Sequence, residues 1–206
     1  MKVVRFKEKE FKANNYLVVE NGVAVLIDAS VEPSEIEEKL SELGAELKAI
    51  FITHAHFDHI LSLDSLIDKF DCPVYLNKEG LESLYDETKN ISREYKPLTI
   101  KDKSHIQTFG KMQEFNIEGM IVKAYQTAGH SECSSIFEIG DYLFTGDTLF
   151  KGFIGRNDLW NSNPATQQQT LKFLKGFHKK ERYYSGHGIY LDYDDAIKTI
   201  DKYLIK

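Results

Sequence analysis

The segment Thr53-His54-Ala55-His56-Phe57-Asp58-His59 constrains this chain more than any other, because it crowds three imidazoles and a carboxylate into six positions. Leu47 to Thr53 reads as a buried strand, and the apolar series Ile60, Leu63, Ile67 and Phe70 predicts an amphipathic helix starting near Asp58. His54 and His56 stand two apart at the strand end, so both side chains leave on the same side and reach one metal ion. Asp58 and His59 fall where the chain turns into the helix, which brings a second pair of ligands close to the first. A helix start uses at most one capping group, so capping does not account for the four. Imidazole with carboxylate suits zinc, iron or manganese, and no thiolate is offered that would favour a softer ion.

Three further places put a histidine or aspartate beside glycine at an expected strand end: Gly129-His130, Gly146-Asp147 and Gly186-His187. Such positions present side chains to solvent on a rigid base. Together they complete two metal shells, with His54, His56 and His130 on one ion and Asp58, His59 and His187 on the other. Asp147 would bridge them, one oxygen to each. Ligands spread from 54 to 187 must converge, so residues 1–206 are read as one domain. His105 and His178 lie in polar, unpatterned or helical surroundings and are read as structural.

The remaining pattern mixes strands and helices without strict alternation. Strands are expected at Val3–Phe6, Tyr16–Glu20 and Val23–Asp28, the last two joined by Asn21-Gly22, a type I′ hairpin signal. Pro33 opens a helix that Gly44 closes. Further strands are expected at 73–76, 106–109, 120–126, 135–139, 142–145 and 182–185, and helices at 79–85, from Pro164 to near Gly176, and through Ala196, Ile197, Ile200 and Leu204. Residues 87–103 are polar and poorly patterned, a lid or a plain connection. Two packed sheets with helices outside them satisfy every apolar face.

Charge narrows the partners. Lys and Arg number 26 against 32 Asp and Glu, a net charge of −6 that repels a phosphate backbone. Basic residues are scattered or interleaved with acids, as in Lys179-Lys180-Glu181-Arg182, which argues against a nuclease. The longest apolar stretch is Val23 to Ile27, far short of the roughly 20 residues that span a bilayer. No secretory leader is visible, and two cysteines, Cys72 and Cys133, make no disulfide framework, so a reduced, cytoplasmic setting is expected. Cys133 is read as a small core residue, not a nucleophile.

Taken in order, THAHFDH at 53–59, TAGHS at 127–131, TGDTLF at 145–150 and SGHG at 185–188 resemble the metallo-β-lactamase superfamily, as do the strands around Asn15–Val18 and Leu26–Ala29. The resemblance covers nearly the whole chain. It implies an α/β fold, a four-layer αββα sandwich with two divalent metal ions, zinc first and iron or manganese as alternatives, at one edge of the sheets. Asp147 in place of cysteine points away from the true β-lactamases. Gly146 to Phe150 followed by Ile154 to Leu159 looks most like the glyoxalase II group, the hydroxyacylglutathione hydrolases, which cleave S-D-lactoylglutathione. In that group a basic residue at the place of Arg156 helps to hold glutathione; a surface salt bridge to Asp158 is the competing reading. Two departures weaken the link to glutathione. Nineteen residues follow His187, too few for the C-terminal helical domain of the better-known enzymes, and Ile189 stands where they carry an aromatic residue, with Tyr190 adjacent. Glu132-Cys133 also replaces the Pro-Gly of many relatives.

The expected chemistry is hydrolysis of a small-molecule thioester. Two cations lower the pKa of a bridging water toward neutrality, Asp58 orients the resulting hydroxide, and the metals stabilise the oxyanion. A thiolate leaves without protonation, since thiols ionise near pH 8.5, and no residue stands out as a general acid. The alternative is a mononuclear-iron persulfide dioxygenase of the same superfamily, using His54, His130 and Asp147 as a facial triad; Thr148, where those enzymes usually carry alanine, favours hydrolysis. A purely structural zinc site is disfavoured, because such sites are closed shells of four ligands.

Overall fold

In the computed structural model, which describes residues 1–205, the first half of the chain builds a six-stranded sheet. β1 (Lys2–Lys7), β2 (Asn14–Glu20) and β3 (Val23–Ile27) pair antiparallel, the last two through the Asn21-Gly22 turn. β4 (Glu46–Phe51), β5 (Val74–Asn77) and β6 (Ile106–Phe109) extend the sheet in parallel. Parallel neighbours need crossovers, and α1 (Pro33–Leu43) and α2 (Leu63–Phe70) supply the first two.

The second sheet uses β7 (Met112–Ile117), β8 (Met120–Gln126), β9 (Ser135–Ile139) and β10 (Tyr142–Gly146), all antiparallel. A small hairpin of β11 (Leu149–Phe150) and β12 (Phe153–Ile154) leads to α3 (Pro164–Lys175). β13 (Arg182–Ser185) then pairs parallel to β10 at the sheet edge, before α4 (Tyr193–Tyr203). Asn163 caps α3 by accepting from the Thr166 N–H, and Asp192 caps α4 by accepting from the Asp195 N–H.

Strand alternation sorts the apolar side chains into three layers of contact. Leu17, Leu26, Ile50 and Val74 face outward from the first sheet onto Ile36, Leu40, Leu63 and Ile67 of α1 and α2. Their neighbours Val18, Ile27 and Phe51 face inward and meet Val122, Phe137 and Phe144 of the second sheet. Ile136, Leu143 and Tyr183 face outward again, onto Leu171 and Leu174 of α3 and Ala196 and Ile200 of α4. The order is therefore helix, sheet, sheet, helix, the expected αββα sandwich.

Two local expectations are corrected, and the strands β7, β11 and β12 were not expected. The helix expected near Asp58 begins at Leu63; only a single 3₁₀ turn, Phe57–His59, precedes it. The Ala29 N–H takes the His59 carbonyl at 2.8 Å, so that carbonyl is not free to continue a helix. The helix expected at 79–85 is two 3₁₀ turns, Lys78–Gly80 and Glu82–Tyr85. β7 was not anticipated: it is an edge strand whose only buried residues are Phe115 and Ile117, too few to stand out as a pattern. Residues 87–103 form an irregular connection anchored by buried Asn90, Ser92 and Ile100, with the Asn90 carbonyl accepting from the Phe57 N–H at 2.9 Å.

Candidate metal centre

Five chain segments meet at one edge of the sandwich, beyond the carboxyl ends of β3, β4, β10 and β13, with the loop before β9 beside them. The two sheets are laced together there. The Asn14 N–H donates to the Gly186 carbonyl at 2.6 Å, the Tyr16 hydroxyl to the Ser185 carbonyl at 2.7 Å, and the Ser135 N–H to the Thr53 carbonyl at 2.8 Å. All seven residues singled out from the sequence are brought together. Three groups each hold potential ligand atoms within 4.8 Å of one another: His54 with His56 and His130, His54 with His59 and Asp147, and Asp58 with His59 and His187.

Asp147 stands at the centre. Its Oδ2 lies 3.6 Å from His130 Nε2, 3.7 Å from His187 Nε2 and 3.9 Å from His54 Nε2, while Oδ1 lies 3.4 Å from His59 Nε2. Asp58 Oδ2 is 3.2 Å from His187 Nε2 and 3.8 Å from His59 Nε2. Two glycines make room for Asp147, one beside its carboxylate and one beside its backbone. A Cβ on Gly186 would lie 2.2 Å from Asp147 Oδ1, and one on Gly155 would lie 2.0 Å from the Asp147 carbonyl oxygen.

Partners on the far side of each ring decide which nitrogen faces the centre. His59 Nδ1–H donates to Asp28 Oδ2 at 2.8 Å, and His130 Nδ1–H to the Arg156 carbonyl at 2.9 Å. Thr53 Oγ1 accepts from His54 Nδ1–H at 3.0 Å and donates to the Asp28 carboxylate. His54, His59 and His130 thus turn Nε2 inward. His56 is reversed, with Nδ1 3.0 Å from His130 Nε2 and Nε2 toward Asn161 Oδ1. Asp28, Thr53 and Asn161 were not singled out as functional from the sequence. For Asp28 a signal existed, a lone carboxylate closing the apolar run Val23–Ile27.

The fit to a cation rests on unsatisfied atoms. His54 Nε2, His59 Nε2 and Asp147 Oδ1 are buried and find no hydrogen-bond partner, although buried polar groups are almost always paired. Burial drives the His54 imidazole well below its ordinary pKa, and burial together with His130 takes His56 down to about 3. Both are neutral at pH 7, with lone pairs to donate. Burial pulls His59 the same way, but the carboxylates of Asp28, Asp58 and Asp147 outweigh it and raise that imidazole well above its usual range. Burial would raise the Asp147 carboxyl, yet His59, then His54 and His130, hold it well below. These carboxylates demand positive charge at the centre, which divalent ions supply as readily as a proton on His59.

A cavity of about 710 Å³ opens from His130, Asp147 and His187, with Phe150, Ile154 and Arg156 among its lining residues. The Arg156 guanidinium is two-thirds exposed and pinned by Asp158 through bonds of 2.9 and 3.1 Å, so the salt bridge forms and the residue borders the cavity as well. Cys133 is 1% exposed and its thiol is pushed up by burial, as a core residue's would be. His105 pairs with Asp71 and Asp102, and His178 with Glu138, both outside the cluster. Among the described residues no helix is long and apolar enough to cross a membrane.

The family model of the metallo-beta-lactamase superfamily matches residues 9–187. The chain is 33% identical over 182 residues to the probable metallo-hydrolase YqgX of Bacillus subtilis (strain 168), covering 87% of this chain and 83% of the relative. It is 30% identical over 196 residues to a hydroxyacylglutathione hydrolase of Trichodesmium erythraeum (strain IMS101), covering 92% and 70% respectively. Among solved structures, BLEG-1 B3 metallo-beta-lactamase superposes with a TM-score of 0.84 at 27% identity, covering 96% of this chain and 95% of the other.

Proposed function

The chain belongs to the metallo-β-lactamase superfamily, and on that premise we propose that it is a metal-dependent hydrolase acting on a thioester. The observation that carries the reading is the convergence of His54 Nε2, His59 Nε2 and Asp147 Oδ1, buried and unpartnered, on one centre. His54, His56 and His130 would hold one divalent ion and Asp58, His59 and His187 a second, with the Asp147 carboxylate between the two sets. Zinc is the first expectation, with iron and manganese suited to the same donors. Such ions, when bound, supply a water acidified toward neutral pH and an electrophile for the substrate carbonyl.

The chain's own residues do the rest. The Asp58 carboxylate sits 3.2 Å from His187, faces the same centre and can accept a proton from the attacking water. Water's oxygen bonds to the carbonyl carbon, the carbon–sulfur bond breaks, and the products are a carboxylic acid and a thiol. A thiolate leaving group fits the surroundings. Outside the cluster the cavity lining offers only Lys151 and Arg156 as titratable groups, each paired with a carboxylate. The hydrogen bond to Asp195 raises the Lys151 ammonium above its ordinary pKa, making it a poor proton donor. The hydroxyacylglutathione hydrolase among the relatives supports a thioester. Arg156, at the cavity border, is the proposed contact for a polar part of the substrate.

The test is elemental analysis of the purified protein paired with turnover of S-D-lactoylglutathione, a simpler acyl thioester and a β-lactam. Two ions per chain and thioester hydrolysis are expected. Hydrolysis of the β-lactam alone overturns the reading, and so does one iron per chain with oxygen uptake on a persulfide.

A further inference from the structure

We infer that the cavity beside the metal centre receives an apolar acyl chain, which makes the preferred substrate a thioester of a medium-length fatty or similarly hydrophobic acid. The inference rests on the thioesterase reading and names the part of the substrate that reading leaves open.

Away from the candidate ligands, the apolar side chains that line the cavity are Phe150, Phe153, Ile154 and Ile189, with Lys151 and Arg156 as the charged ones and glycines between them. Phe153 and Ile189 are 63% and 56% exposed, large apolar surfaces at the cavity border. Both cations on the rim are already engaged. Asp195 holds the Lys151 ammonium at 2.6 Å, and Asp158 holds Arg156 by two hydrogen bonds. A third cation, Lys202, stands over the Phe153 ring at 5.0 Å.

Size points the same way as chemistry. At about 710 Å³ the space falls inside the roughly 300–1,000 Å³ that hold whole small ligands. A lactoyl group would leave most of it to water and the phenyl and alkyl walls uncovered. Carrier thiols built from peptide or amide units need hydrogen-bonding partners along their length, and outside the candidate ligands only the Lys151 and Arg156 side chains of this lining could supply any. The acyl side of the thioester is the apolar candidate.

The experiment uses the full chain loaded with zinc and a series of N-acetylcysteamine thioesters from acetyl to octanoyl. We expect kcat/KM to rise roughly fourfold per added methylene until the cavity is filled. The Ile189→Trp variant should cut the octanoyl-to-acetyl ratio about tenfold, and Phe153→Ala should lower it as well; both positions are exposed enough for the fold to tolerate the change. Moving the alkyl chain to the thiol, as in acetyl thioesters of hexanethiol and octanethiol, should bring no comparable gain. A flat or falling acyl series, a gain that follows the thiol, or a preference for S-D-lactoylglutathione over the octanoyl ester overturns the acyl pocket while leaving a thioesterase. No hydrolysis of any thioester overturns the thioesterase reading itself.

Discussion

Asp28 does its work at one remove from the candidate metals. It takes the His59 Nδ1–H at 2.8 Å and both the N–H and hydroxyl of Thr53, which in turn accepts from His54. One carboxylate therefore orients two of the candidate ligand rings. Asp28→Asn presents an amide where His59 needs an acceptor, and we expect metal affinity to fall about 10- to 100-fold with the fold retained; competition against a chromophoric chelator measures it. His54→Ala should cost both metal and activity, because His54 contributes to two of the three ligand groups. Full metal content and full turnover in that variant would refute the site.

Each ligand depends on how its element ends. β4 stops at Phe51 and the chain makes only one 3₁₀ turn before α2, so His54, His56, Asp58 and His59 line one loop instead of spiralling around a helix. β10 and β13 run parallel and adjacent, which sets Asp147 beside His187. Gly186 is where these two strand ends approach, and Gly186→Ala places a methyl on Asp147 Oδ1 and His59. Loss of bound metal is expected, read by elemental analysis, although glycine ligates nothing. Asn163→Ala is the contrasting case. It removes the α3 cap and should cost about 1 kcal/mol in a urea melt, with metal content unchanged.

At the scale of the whole molecule, the metal centre joins both sheets, so its occupancy and the stability of the sandwich are linked. Chelation should lower the melting temperature, and metal at a thousand times its dissociation constant should restore about 4 kcal/mol, which calorimetry with and without chelator reads. A second long-range tie is the buried pair Glu138 and Lys180, 2.7 Å apart. Burial opposes the Glu138 charge, but Lys180, Tyr125 and His178 outweigh it and hold that carboxyl below its ordinary pKa. A depressed folded pKa contributes stability above the unfolded value of about 4.3, and that contribution disappears as pH falls through the folded value. Glu138→Gln should therefore be less stable than the parent at pH 7 and nearly equal to it at the acid end, in urea midpoints taken across pH.

The four-layer order and the seven candidate ligands were legible along the chain, because both rest on local spacing: apolar alternation at two or 3.6 residues, and histidines and aspartates at expected strand ends. Edge strand β7 was not, since only Phe115 and Ile117 of its six residues are buried. Nor was the late start of α2, which depends on the Ala29 N–H taking the His59 carbonyl from 30 residues away in sequence. The inward-facing nitrogen of each ring, the anchoring role of Asp28, the pinning of Arg156 by Asp158 and the apolar walls of the cavity all depend on which segments meet in space. By itself the sequence determined which atoms are available to hold metal. The tertiary structure decided which way they point and what kind of surface lies beside them, because orientation and enclosure come from partners that only folding brings within a few ångströms.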